Sequence, residues 1–229
     1  MMLESKNIMK KYMMTTAIED MSLTIESGMI YALLGPNGSG KTTFMKIAAG
    51  LTKPSKGSIT YNGIPVGIQS KKEIAYMPTE PFFYSYMNVA DVGKYYNDFF
   101  EDFDIERYNS LLERMELTPK LKTKTLSSGM AAKLKIAATL ARDAKIYMLD
   151  EPLNGIDVIA RDRIITTILE NAKNDKAMII SSHLVDELEK IIDYAIFIKT
   201  GRVELVGNVE EIREARNQSI VEVYKTIYA

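Results

Sequence analysis

The stretch Gly35-Pro36-Asn37-Gly38-Ser39-Gly40-Lys41-Thr42-Thr43 follows a short apolar run, residues 29–34, and leads into a helix-forming segment, residues 42–49. This order predicts a strand, a glycine loop and a helix, the context in which a loop binds phosphate. The glycines let backbone N–H groups close around phosphate oxygens, where a side chain would obstruct the approach or demand a disfavoured conformation. The phosphate then meets a helix N-terminus. On this reading Asn37, Gly38, Ser39, Gly40, Lys41, Thr42 and Thr43 form the nucleotide-binding set, with Lys41 on the terminal phosphates and the Thr42 hydroxyl on Mg2+. The competing reading is an ordinary glycine turn before a helix.

Two further segments suit the same chemistry. Met148-Leu149-Asp150-Glu151-Pro152 closes an apolar strand expected at 145–149, and an acidic pair at such a position is costly to bury without a cation. Asp150 is thus a candidate Mg2+ ligand, and Glu151 the general base that polarises an attacking water. A turn before Pro152 is the structural alternative. Ser181-Ser182-His183 follows another apolar run, 177–180, and carries the one histidine of the chain. A lone histidine at a strand end is usually structural. Downstream of an acidic strand, His183 is instead a candidate for contacting the γ-phosphate and positioning the water.

The remaining sequence bounds the setting. With 229 residues, 26% of them charged, the chain can bury one substantial core. A net charge of -1, with basic and acidic residues interspersed, offers no bulk attraction to nucleic acid, so none is expected as a partner. The absence of cysteine excludes disulfides and thiolate metal sites and fits a reducing compartment. Residues 1–6 lack the basic and apolar segments of a secretion signal, and no apolar run approaches the roughly 18 residues of a membrane span.

Alternation and turn residues predict strands at 3–10, 18–26 and 58–64, forming a small antiparallel layer. From 82 to 142 the apolar spacing becomes helical, and about three helices fit. Strands and helices then alternate at 145–149, 160–172, 177–181, 185–191 and 194–199, which predicts a largely parallel sheet covered by helices. The tail reads as helix at 209–215 and 219–229, packed as a lid. The 14 methionines read as core filler.

A fourth segment narrows the class. Leu126-Ser127-Ser128-Gly129-Met130 starts a helix just upstream of the acidic strand, and with the three motifs above it resembles the signature of ABC transporter ATP-binding subunits. The resemblance covers nearly the whole chain. It implies a P-loop NTPase fold of the ABC type: a single ATP-binding domain over 1–229, with a mostly parallel core sheet, an antiparallel β subdomain and a helical subdomain inserted at about 82–142. It further implies ATP and Mg2+ as cofactors, and Ser127 and Gly129 as donors to ATP held by a second subunit, identical or similar. Asp157, in Asn154-Gly155-Ile156-Asp157, resembles an aspartate that reaches across that interface; capping the next helix is its local role. Tyr12 resembles the aromatic residue that stacks on adenine, with packing against the sheet as the alternative.

The implied function is an ATPase powering solute transport, with export favoured by the variant signature. The implied location is cytoplasmic, peripheral on the membrane through an integral permease. The aromatic stretch Pro81-Phe82-Phe83-Tyr84-Ser85-Tyr86-Met87 suits either a groove for a permease helix or packing between lobes. Two departures stand out. Ser128 and Met130 replace glycine and glutamine in the signature, and Thr79 replaces the glutamine that in this family reaches the Mg2+ site. Two other readings compete: a soluble, non-transporting ABC ATPase and a weakly hydrolytic nucleotide sensor.

Overall fold

The computed structural model describes residues 2–80, 82–172 and 175–229. Met1 and Pro81, which opened the leader and aromatic readings, lie outside the described residues. The chain runs through β1 (Leu3–Tyr12), β2 (Thr15–Ile25), β3 (Ile30–Leu34), α1 (Lys41–Ala48), β4 (Lys56–Tyr61), β5 (Ile64–Pro65), α2 (Ile68–Glu73) and β6 (Ile74–Met77). Three helices follow, α3 (Val89–Phe99), α4 (Ile105–Arg114) and α5 (Ser128–Leu140), with a 3-10 turn at Thr123–Thr125. Then come β7 (Ile146–Asp150), α6 (Val158–Asn171), β8 (Ala177–Ser182), α7 (Val185–Leu188), β9 (Tyr194–Lys199), β10 (Arg202–Asn208), α8 (Val209–Arg216) and α9 (Ile220–Tyr228).

Six strands form one sheet in the order β10-β9-β3-β8-β7-β6, and four form a second in the order β2-β1-β4-β5. From β9 to β6 every pairing is parallel, and β10 joins β9 antiparallel. The second sheet is antiparallel throughout. Its last hairpin turns at Asn62-Gly63, both at positive φ, so the strand expected at 58–64 is two short strands around a turn.

The central strands are apolar on both faces because each face has its own core. On β3, Ile30, Ala32 and Leu34 join the cluster that includes α3, α4, α5 and α6, while Tyr31 and Leu33 join the one beneath α1 and the antiparallel sheet. On β7, Tyr147 and Leu149 face the first cluster and Ile146 and Met148 the second. A strand covered on both sides loses the alternation of a half-buried strand and reads as a continuous apolar run.

Helix starts follow local chemistry. Asn88, Asp104, Ser127, Asp157, Asn208 and Ser219 each accept a backbone N–H in the first turn of the helix they precede. In α9 the Tyr228 hydroxyl donates to Ile198 O at 2.8 Å, which anchors the tail on the sheet. The methionines divide: Met45, Met77 and Met148 are fully buried, but Met13 and Met14, at the β1–β2 turn, are 99% exposed. A tight two-residue turn has no core to offer them, so these two are not core filler.

Candidate functional site

The site is assembled by strand order. Because β8 lies between β3 and β7, the segments following these three parallel strands emerge side by side at the same edge of the sheet. That edge, at the carboxyl ends of the strands, is where open α/β sheets bind ligands. Register pairs Leu34 with Ser182 and Asp150 with Ser181, so the glycine loop, the acidic pair and the histidine segment are brought together there.

The loop has the backbone the sequence demanded. Gly38 and Gly40 have φ of 80° and 112°. A Cβ at Gly40 would lie 2.7 Å from Ala17 O, whereas one at Gly38 would meet nothing within 4 Å. Residue 40 therefore excludes a side chain by contact, and residue 38 by conformation alone. Lys41 starts α1 with its side chain 5% exposed. Its ammonium donates to Gly35 O at 2.7 Å and to Pro36 O at 3.2 Å, folded back over the loop.

The same ammonium lies 3.3 Å from Glu151 Oε1, and His183 Nδ1 lies 2.8 Å from Glu151 Oε2. Lys41, Glu151 and His183 thus form a linked row with the carboxylate in the middle. Glu151 also has φ of 49°, a left-handed conformation that costs a non-glycine residue free energy and clusters at functional sites. Its backbone N–H is held by Ser181 Oγ at 2.9 Å.

Asp150 is fully buried. Ser181 Oγ donates to its Oδ1 at 2.5 Å and Tyr76 Oη to its Oδ2 at 3.2 Å. By sequence alone this acidic pair needed a cation to be buried. In the structure protein donors and Lys41 already offset much of that cost, so burial alone does not demand metal. Burial and the Asp150 carboxylate in turn raise the Tyr76 phenol above its ordinary pKa.

Two buried side-chain atoms here accept or donate no hydrogen bond, Ser39 Oγ and Glu151 Oε1, the latter having only the long ion pair with Lys41. Unsatisfied polar atoms beside an open glycine loop fit an incoming polar ligand such as a phosphate chain. No group of three or more His, Cys, Asp or Glu side chains gathers into a metal cage among the described residues. Mg2+ seldom uses such a cage; it takes one or two protein oxygens and completes its shell with phosphate and water. Thr42, in the first turn of α1, and Asp150, with free lone pairs on both oxygens, suit that mode.

Tyr12 closes β1 with its ring 45% exposed and the Lys10 ammonium 4.9 Å from its centroid. Ser127 caps α5, accepting from Met130 N at 3.3 Å, and Ser128 Oγ reaches Gly155 O at 3.5 Å. A Cβ at Gly129 would stand 3.2 Å from that same carbonyl. Residues 127–129 therefore pack on the turn that ends in Asp157, which accepts from Ala160 N at 2.9 Å and caps α6. Neither Ser127 nor Gly129 is joined by a hydrogen bond to the glycine loop of its own chain among the described residues. A cleft of about 470 Å³ lies beside this turn, lined by Thr79, Ser128, Lys135, Glu151, Asn154 and Gly155.

In the aromatic stretch the two readings divide by residue. Phe83 packs on the core and on Tyr96, while Tyr84 and Tyr86 stack on each other and are 51% and 69% exposed. Four residues near the site carry no role from the sequence: Tyr76, Ser181, Tyr224 and Lys135. Burial, followed by the charge of Glu151, raises the Tyr224 phenol from its usual pKa, so α9 contributes to the surroundings of the site. Lys135 left a trace in the sequence as a charge among the apolar residues Leu134, Ile136 and Ala137, and Ser181 as part of the segment that carries His183.

Comparison with known proteins places this geometry in context. The family model described as ABC transporter matches residues 18–154. Among curated proteins, the lantibiotic transport ATP-binding protein SrtF of Streptococcus pyogenes is 32% identical, covering 96% of this chain and 98% of the relative. The ABC transporter ATP-binding protein YtrB of Bacillus subtilis is 29% identical over 93% of this chain and 74% of its own length. The Nod factor export ATP-binding protein I of Cupriavidus pinatubonensis is 30% identical over 97% and 71%. Among solved structures, an ATP-binding subunit of an ABC transporter matches with a TM-score of 0.90 at 24% identity, covering all of both chains. The dimeric cassette MJ0796 with ADP and Pi matches at 0.81 and 22% identity over 90% of this chain and 98% of that one.

Proposed function

The chain belongs to the ABC transporter family of ATP-binding proteins, and on that premise we propose that Lys41, Thr42, Asp150, Glu151 and His183 hydrolyse Mg-ATP within a dimer of such subunits. It is an ABC-type ATPase whose work is coupled to transport through a separate membrane permease. No helix among the described residues is long and apolar enough to cross a membrane. We assign export as the direction, on the likeness to a lantibiotic transport protein and a Nod factor export protein, and the cytoplasmic face of the permease as the docking site.

The observation that carries the catalytic reading is Glu151, held between Lys41 at 3.3 Å and His183 at 2.8 Å, directly after Asp150. The Lys41 ammonium is engaged by Glu151 and two loop carbonyls. Phosphate oxygens of ATP compete for that ammonium, and its departure leaves Glu151 free to accept a proton. Water then attacks the γ-phosphorus: its O–P bond forms, the bond to the β,γ-bridging oxygen breaks, ADP leaves, and Glu151 takes the proton. His183 keeps the carboxylate oriented through Oε2. Thr42 and Asp150 would hold Mg2+, which when bound neutralises phosphate charge and polarises the transferring group. Tyr12 would face the adenine, Asn37 to Thr43 the phosphates, and Ser127, Gly129 and Asp157 the ATP of the opposite subunit.

The test is phosphate release from Mg-ATP across a range of protein concentrations. A composite dimer site requires activity per subunit to rise with concentration and to vanish in Glu151→Gln. Concentration-independent turnover, or turnover that survives the substitution, would refute it. Co-purification with an integral membrane protein separates transport from a soluble ATPase role.

A further inference from the structure

Helix α9 is joined at both ends to segments of the site. At its start the backbone N–H of Ile220 donates to Glu189 Oε1 at 2.7 Å, and Glu189, directly after α7 in the segment that follows His183, also accepts from Arg213 of α8 at 3.0 Å. At its end the Lys199 ammonium donates to Ile227 O at 2.7 Å, and the Tyr228 hydroxyl, besides its bond to Ile198 O, lies 3.1 Å from Leu34 O. Leu34 closes β3 and is followed by Gly35, where the glycine loop begins. A Cβ at Gly35 would stand 2.4 Å from Ile198 O and 2.6 Å from Ser39 Oγ, so the loop leaves the sheet through a gap that admits no side chain. Tyr228 holds two carbonyls at that point, and Lys41 holds the next one, Gly35 O.

A helix of nine residues is marginal on its own. In α9 Ile220 and Val223 are fully buried, and Tyr224 and Tyr228, one turn apart, have ring centroids 4.4 Å apart, so one face is packed. Its order therefore depends on the segments that anchor it. We propose that Tyr228 is a positioning residue of the nucleotide site and that α9 acts as a brace, holding the root of the glycine loop and the segment after His183 in one relative position. On the roles assigned above, phosphate draws the Lys41 ammonium away from Gly35 O. The carbonyl before it keeps its donor from Tyr228, and the loop root stays in place for the phosphate. Nucleotide at the loop and order in α9 and α7 are thereby linked through hydrogen bonds. This inference rests on the nucleotide-binding reading above, and its decisive measurements do not require turnover.

The test uses Tyr228→Phe, which keeps the ring and removes the hydroxyl, Glu189→Ala, which frees the other end of α9, and the double variant. The first readout is the affinity for a fluorescent ADP in the presence of Mg2+, and the second is amide hydrogen exchange with and without ADP. In the parent, ADP should slow exchange in 185–189 and 220–228 as well as in 35–43. In Tyr228→Phe the affinity should fall about two- to tenfold, the scale of one hydrogen bond, and ADP should still protect 35–43 while most of the protection in 185–189 and 220–228 is lost. The double variant should lose little more affinity than the weaker-binding single variant, a non-additivity expected of residues serving one brace. Unchanged ADP affinity in Tyr228→Phe would overturn the proposal, as would a parent whose α7 and α9 amides do not respond to ADP, or one that binds no ADP. A lowered unfolding midpoint with parental ADP affinity would reduce Tyr228 to a structural role and overturn it likewise. Should the parent bind ADP yet release no phosphate from ATP, the ATPase reading falls, while ADP affinity and exchange still decide the role of Tyr228. If Tyr228→Phe does not fold, Lys199→Met, which frees Ile227 O at the same end of α9, must show the same loss of ADP-dependent protection or the proposal fails.

Discussion

Lys41 of the glycine loop and Glu151 after β7 stand 3.3 Å apart with side chains 5% and 8% exposed, a buried ion pair joining the phosphate-binding group to the carboxylate that would serve as base. Each group holds the other away from the chemistry assigned to it. On the proposed roles, ATP would compete with Glu151 for the Lys41 ammonium.

Glu151→Gln tests that competition. The substitution removes the charge that detains Lys41, so the variant is expected to bind ATP more tightly than the parent, by about three- to thirtyfold, while turnover falls about 10²- to 10⁴-fold. Equilibrium binding of ATP beside phosphate release reads both effects. Weaker binding in the variant would show that the pair does not oppose nucleotide.

His183 touches the reacting groups through Glu151, with Nδ1 2.8 Å from Oε2. His183→Ala is expected to slow phosphate release by about 10²-fold or more with little change in ATP affinity, since the imidazole does not contact Lys41 among the described interactions. An equal loss in affinity would place it in ground-state binding instead.

Ser181 is fully buried and serves both acidic residues, donating to Asp150 Oδ1 at 2.5 Å and accepting from Glu151 N at 2.9 Å. Ser181→Ala leaves a buried carboxylate oxygen short of a donor and is expected to cost about 1–3 kcal/mol of stability, measurable by denaturant unfolding. A midpoint and slope unchanged from the parent would mean that water replaces the hydroxyl at no cost.

Tyr76, Tyr96, Tyr108 and Tyr228 all have pKa values raised chiefly by burial. Because the folded phenols hold their protons beyond the ordinary value of 10.0, their contribution to stability is fully present below about pH 10 and is lost as pH rises above it. Absorbance at 295 nm should show these buried tyrosines ionising only together with unfolding, followed by circular dichroism. A single smooth titration without loss of structure would contradict this.

The elements were legible wherever local chemistry specifies them. Gly38 and Gly40 announce a loop because only glycine adopts their backbone cheaply, Asp157 and Ser127 announce helix starts because their oxygens cap free N–H groups, and the apolar runs 29–34 and 177–180 announce buried parallel strands because both faces are covered. The motifs Lys41-Thr42, Asp150-Glu151 and His183 could be read as one chemistry from residue type and order alone. Their proximity could not. It depends on β8 threading between β7 and β3, and β3 lies over a hundred residues earlier in the chain, a pairing for which no local signal exists.

The same limit hid Tyr76, Ser181 and Lys135. A tyrosine, a serine and a lysine are common residues whose meaning depends on what stands opposite, and their partners at Asp150 and at the carbonyls of 78 and 79 lie on other elements. Residue types and their spacing along the chain thus point to the phosphate loop and to the candidate reacting groups, because those are properties of short segments. Folding in three dimensions decides that Lys41 and Glu151 meet, that Asp150 is buried at a bearable cost, and that a lysine on α5 grips residues 78 and 79, because distance, desolvation and hydrogen-bond direction arise only when separate segments pack.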